Sequence, residues 1–213
     1  MTPARIVIIA KAPIVGFCKT RLIPALGAQG AARLAQRMLD RTVRFALDAQ
    51  LGPVELCVTP GLKAFDWQSL NLPDGLIWSE QDEGDLGARM GRAAQRVTSG
   101  GEAILLLGTD CPGLDSSMMQ SAAAALQDHE ACLVPAADGG YVLLGLQRFS
   151  PTLFDAMPWS TDVVADETRQ RLARLGWRLS SLARLHDIDE PQDLAWLPAE
   201  LQAGLSISTP ATP

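Results

Sequence analysis

Lys11, Lys19 and Arg21 fall in one short stretch, Lys11-Ala12-Pro13-Ile14-Val15-Gly16-Phe17-Cys18-Lys19-Thr20-Arg21, directly behind the apolar run Ile6-Val7-Ile8-Ile9-Ala10. Two of the chain's three lysines lie there, although 15 of its 18 basic residues are arginine. Ammonium and guanidinium groups gathered at the end of a buried strand form a cradle for a small anion, and phosphate suits these donors best. Gly16 and Thr20 add backbone access and a hydroxyl to the cradle, while Lys11, nearest the strand, either joins it or holds the loop. The spacing is not that of a phosphate-binding Walker A loop. That motif needs glycine immediately before the lysine and another five residues earlier, where this chain has Cys18 and Pro13. No G-x-G-x-x-G follows a strand either, which argues against a dinucleotide-binding fingerprint.

A second chemical locus follows the apolar run Ala103–Leu107, in Gly108-Thr109-Asp110-Cys111-Pro112. A carboxylate facing a phosphate is repulsive unless a hard divalent cation, Mg²⁺ or Mn²⁺, stands between them, so Asp110 is a candidate metal ligand; it could equally cap the turn that follows. The third locus is His186-Asp187-Ile188-Asp189-Glu190-Pro191. In an extended segment Asp187 and Asp189 point to one side, and either could supply a second carboxylate. Asp189 or Glu190 before Pro191 also suits a helix start, and a lone His186 suits a hydrogen-bonded structural role. Asp85 and Arg89 sit at a predicted helix entrance, where an acid is favourable by itself and an arginine can reach a phosphate bidentately. Asp138-Gly139-Gly140 has the composition of a hairpin turn, and Asp138 is placed to bind acceptor or sugar hydroxyls. Trp159 is either a core anchor or a face on which a sugar stacks.

These residues need a scaffold that delivers strand ends to one place. The 213-residue chain is 47% apolar, enough for one substantial core, and its net charge of −6 argues against broad nucleic-acid or anionic-membrane binding. No apolar run reaches the length of a membrane span, and the four widely spaced cysteines suggest reduced, cytoplasmic thiols. Apolar runs alternate with helical patterns, which predicts an α/β domain of three layers around a mostly parallel, mixed sheet. Strands are expected at 5–10, 54–59, 75–79, 103–107, 131–136, 141–146 and 177–182. Helices are expected at 28–49, 85–98, from 115 or 116 to 128, and from 161 or 162 to 175 with Gly176 as its stop, followed by a short helix after Pro191. The turn 137–140 makes one strand antiparallel. A single domain over 1–204 is expected, with a disordered tail at 205–213.

The order of these pieces resembles the DUF2064 family of glycosyltransferase-like proteins with the GT-A, nucleotide-diphospho-sugar-transferase fold. The resemblance is carried by Lys11-x-Pro13-x-x-Gly16-x-x-Lys19-Thr20-Arg21-Leu22, Gly84-Asp85-Leu86-Gly87-x-Arg89-Met90, Gly108-Thr109-Asp110-x-Pro112, Pro135-Ala136-x-Asp138-Gly139-Gly140-Tyr141 and Pro158-Trp159-Ser160-Thr161. The first block, with Ile188-Asp189-x-Pro191-x-Asp193-Leu194, is also similar to small nucleotidylyltransferases. It lacks their glycine-rich G-x-G-x-R loop, having only Gly16 there. The resemblance implies that the first loop grips nucleotide phosphates, that Asp110 and Asp189 hold a divalent cation, and that Asp110, Lys19 and Asp138 carry catalysis. Asp85 and Arg89 are then expected near the nucleotide, and Asp138, Gly139, Gly140 and Trp159 near the sugar or acceptor. Three functions remain open: glycosyl transfer from a nucleotide sugar to a small acceptor, nucleotidylyl transfer with pyrophosphate release, and noncatalytic nucleotide binding.

Overall fold

Strand β1 (Ala4–Lys11) has parallel partners on both edges, β2 (Val54–Thr59) and β4 (Ala103–Leu107). Its unbroken apolar run follows from that central place. Ile6 and Ile8 pack into one layer of helices and Val7 into the other, and all three are fully buried. In this computed structural model, which describes residues 3–206, the sheet continues with β3 (Leu76–Glu80), β5 (Ala131–Pro135), β6 (Tyr141–Leu146) and β7 (Leu179–Ser181). The strand order is β3-β2-β1-β4-β6-β5-β7, and β6 runs antiparallel to both of its neighbours. Helices α1 (Ile23–Asp48) and α3 (Ser116–Ala125) cover one face through Leu39, Val43 and Met119. Helices α2 (Leu86–Ser99) and α4 (Val164–Arg174) cover the other through Met90, Val97 and Leu172. The result is the expected single three-layer α/β domain.

Local signals explain most boundaries. Asp85 caps α2 by accepting from Ala88 N at 2.8 Å, and Asp115 caps α3 by accepting from Met118 N at 2.9 Å. Gly176, at φ 67, follows α4 as the expected left-handed stop. Two starts differ from expectation. Helix α1 gains a leading turn before position 28, where Pro24 sits without loss of a needed N–H, and Gly27 at φ 68 and ψ 162 breaks that turn from the helix expected from 28. Helix α4 begins at Val164 rather than at 161 or 162, since the Thr161 hydroxyl donates instead to Pro158 O at 2.6 Å. β7 is shorter than 177–182, as suits an edge strand with one partner.

The antiparallel β6 sets the site's geometry. It brings the turn 136–140 to the same sheet edge as the segments that follow β1, β3, β4 and β7. From β7 the chain runs back along that edge. Leu182 N donates to Leu133 O at 2.8 Å, Leu185 N to Pro135 O at 3.0 Å and Ile188 N to Asp110 O at 2.8 Å. A 3-10 turn, Pro191–Trp196, and α5 (Ala199–Gln202) then place Leu194, Leu197 and Leu201 against Leu22, Leu34 and Met38 of the α1 region. The expected tail at 205–213 lies, beyond Ser206, outside the described residues.

Candidate active site

The basic loop is tightly wound. Phe17 N and Cys18 N both donate to Ile14 O, at 3.0 and 3.2 Å, and Gly16 takes φ 82 to close the turn. Ala12 N donates to Thr59 O at 2.8 Å, fastening the loop to the end of β2. Lys19 itself is left-handed, with φ 46 and ψ 43, a conformation that costs a non-glycine residue about 1–2 kcal/mol. The side chain of this residue is buried.

Lys19 Nζ lies 2.5 Å from Asp110 Oδ1, 2.7 Å from Asp189 Oδ1 and 2.6 Å from the Ile188 carbonyl oxygen. The lysine side chain is 6% exposed, whereas those of Asp110 and Asp189 are 51% and 41% exposed. The ammonium is therefore the buried member of the cluster and the carboxylates are its solvent face. Burial disfavours the charge on Lys19, but Asp110 and Asp189 outweigh it and hold the group above the ordinary lysine value. The structure thus brings Lys19, Asp110 and Asp189 together. It also adds the Ile188 carbonyl, which no side-chain pattern could announce.

The donor set fits a divalent cation. Two carboxylates and a backbone carbonyl converge on one point, and all are hard oxygens of the kind Mg²⁺ and Mn²⁺ accept. Among the described residues no group of three or more metal-ligating side chains forms. A cation here would take its remaining ligands from water and substrate phosphates, as Mg²⁺ commonly does.

The other loop residues divide. Arg21 NH1 reaches Glu190 Oε1 at 3.2 Å on the exposed rim, Thr20 opens the 3-10 turn Thr20–Leu22, and Lys11 ends β1 in an exposed position. Both lysine ammonium groups act on the Cys18 thiol, which burial nonetheless pushes up. Asp85 is engaged as the α2 cap. The Arg89 guanidinium donates from Nε to Gly84 O at 2.9 Å and lies 3.4 Å from Gln81 Oε1. Gln81, absent from the sequence reading, is buried and donates from Nε2 to Ala10 O at 2.8 Å and Cys57 O at 2.9 Å, pinning the ends of β1 and β2.

On the far side of the cluster, Asp138 is exposed and accepts from Gly140 N at 2.8 Å, closing the turn with its own side chain. Gly139, at φ 93, carries its backbone against residue 162, and its carbonyl accepts from Ala165 N at 2.9 Å. Asp187 is half-buried and pushed up to about 6, first by burial and then by Asp138 and Asp189. Asp189, not Asp187, meets the lysine. His186 stacks on Trp196 with ring centroids 3.9 Å apart and planes 9° from parallel, so its role is packing. Trp159 is half-buried, edge-on to Tyr141 at 6.4 Å, with Nε1 against Gly87 and without a hydrogen-bond partner among the described residues.

Comparison with known proteins agrees with this architecture. A protein of Desulfovibrio desulfuricans G20, named as a candidate nucleotide-diphospho-sugar transferase, is 28% identical over 96% of this chain and 90% of its own, with a TM-score of 0.85. A 4-diphosphocytidyl-2C-methyl-D-erythritol synthase of Anaerococcus prevotii shares the fold at 11% identity and TM-score 0.60, over 94% of this chain and 99% of its own. A CMP:2-keto-3-deoxy-manno-octonic acid synthetase complexed with CTP shares it at 13% identity and TM-score 0.55, over 92% of this chain and 96% of its own. No curated protein matches the chain. The family described as "Uncharacterized protein conserved in bacteria (DUF2064)" matches residues 38–161. That match spans more than half of the sequence, and the chain belongs to the DUF2064 family.

Proposed function

We propose that this protein is a metal-dependent glycosyltransferase that takes its sugar from a nucleoside-diphosphate donor and passes it to a small acceptor. One observation carries the reading: a buried ammonium and two strand-end carboxylates meet at the end of a basic loop, on the sheet edge where open α/β folds bind ligands. The candidate name of the Desulfovibrio relative supports the same class of donor.

In this reading Asp110 and Asp189, with the Ile188 carbonyl, hold the cation, which when bound neutralises charge on the departing diphosphate. Lys19 and Arg21 bind phosphate oxygens, and Gly16, Thr20 and Lys11 shape and charge the loop around them. Asp138 orients the acceptor hydroxyl beside Asp187. Gly139 and Gly140 hold that turn, and Trp159 supports it through Tyr141. Asp85 and Arg89 act indirectly, by ordering the segment beside Gln81. One domain over 1–204 carries all of this. The four buried free thiols accord with a reducing, cytoplasmic setting, and among the described residues no helix is long and apolar enough to cross a membrane.

The test is a panel of nucleoside-diphosphate sugars incubated with Mg²⁺ or Mn²⁺, following nucleoside diphosphate release. Asp110→Asn is expected to lower the rate about 100-fold or more, the usual size of a lost electrostatic contact to developing charge. A second reading, nucleotidylyl transfer, has one observation in its favour. The chain has two histidines; His186 is stacked on Trp196, and His129 bonds Ala125 O at 3.0 Å. Neither offers an imidazole base to the site, and an attacking phosphate needs none. Pyrophosphate released from an NTP and a sugar phosphate, without turnover of any sugar nucleotide, would establish that reading instead.

A further inference from the structure

We propose that Lys19 and the divalent cation compete for one three-oxygen locus, so that the free protein holds an internal cation that must leave before metal can enter. The inference rests on reading the site as one that binds phosphate and metal together. Lys19 Nζ donates to Asp189 Oδ1 and Ile188 O and forms an ion pair with Asp110 Oδ1, so three oxygens lie within 2.7 Å of the ammonium. The ammonium is engaged by all three. In this position the ammonium is committed to the carboxylates and the carbonyl rather than to a phosphate, and its side chain is buried away from the solvent a ligand arrives through.

The same three oxygens are the donor set of the candidate metal site. A cation accepted by all three would stand where Nζ stands, and two positive groups cannot share that point. Phosphate binding and metal binding therefore begin with the same event, the withdrawal of Lys19 from the carboxylates. Lys19 sits in a strained left-handed residue at the end of a glycine-containing loop, so part of its restraint is the ion-pair cluster itself. An anionic nucleotide draws the ammonium outward, and the vacated carboxylates then favour metal. By linkage, each ligand strengthens the other. Without nucleotide, the lysine offsets one of the two carboxylate charges and keeps the metal affinity low.

The test needs no nucleotide, so a failure of the sugar-nucleotide assay leaves it standing. Mn²⁺ alone is titrated into the full chain and free Mn²⁺ is read by electron paramagnetic resonance. Lys19→Met and Lys19→Gln are expected to bind Mn²⁺ about 10-fold more tightly than the unsubstituted protein, within the usual range of coupling between sites. Adding Asp110→Asn to either variant is expected to abolish the gain. In the unsubstituted protein, acetylation of Lys19 relative to the exposed Lys63, read by peptide mass, is expected to rise severalfold in saturating Mn²⁺. Equal Mn²⁺ affinity in whichever Lys19 variant folds overturns the proposal. Where neither folds, Lys19 acetylation that Mn²⁺ leaves unchanged overturns it.

Discussion

Gly139 shows how one residue can hold the turn that carries Asp138, the proposed acceptor ligand. A Cβ built there would overlap the main chain of Asp162, and the backbone is already at φ 93. Gly139→Ala is expected to cost roughly 3 kcal/mol, read as a fall in the urea midpoint, because neither the main chain of residue 162 nor the left-handed backbone can yield cheaply. The sequence pattern identified the turn but not the contact, which depends on where α4 begins. A similar division holds for Lys19. Its type and place marked it as a phosphate ligand, and the family resemblance paired Asp110 with Asp189. The ammonium between those carboxylates was not legible, because it follows from a left-handed non-glycine residue that no spacing rule encodes. Asp85 was legible in its bland form, as a helix cap.

At the scale of elements, the opposite end of the sheet is fastened by a buried charge. Glu55 near the start of β2 is fully buried, accepts from Ser79 Oγ of β3 at 2.5 Å and Arg96 NH1 of α2 at 3.0 Å, and lies 3.4 Å from Arg5 NH1 of β1. Four elements meet on one carboxylate. Burial pushes Glu55 up, but the bonds from Arg96, Ser79 and Arg5 outweigh it and hold the group below its usual value of 4.5. The ionised form is thus the stabilising one. Its contribution is present above pH 4.5 and is lost as pH falls through the lower folded value. Glu55→Gln is expected to lose about 3–5 kcal/mol, the usual penalty for breaking a buried ion pair, and to flatten the acid limb of stability against pH, both read by urea denaturation. The strand itself was readable from Val54 to Thr59, as β1 and β4 were from their continuous apolar runs. The clamp was not, since Arg5 and Arg96 come from elements that only the tertiary fold brings alongside. Helix α4 misled for a local reason: Thr161 looks like a cap, yet its hydroxyl is spent on Pro158 O.

Across the whole molecule, the alternation of apolar runs and helical patterns was enough to foresee the three layers, because burial on both faces of a sheet constrains composition along the entire chain, and the turn composition at 137–140 was enough to foresee the antiparallel hairpin. The cysteines follow the same rule. Cys18, Cys57, Cys111 and Cys132 are all buried; burial pushes Cys111 up to about 11 and Cys132 up to about 12. Reaction with a disulfide reagent at neutral pH is expected to be slow in the folded protein and to reach four equivalents in denaturant. What composition could not convey is the route of the last segment back along the strand ends, which joins Lys19 to a carboxylate 170 residues later in the chain. A ribosome makes Lys19 170 residues before it makes Asp189. Until then the basic loop stands with one of the two carboxylates that hold Lys19 still unmade, and that restraint arrives only when the segment beyond β7 closes on the strand ends.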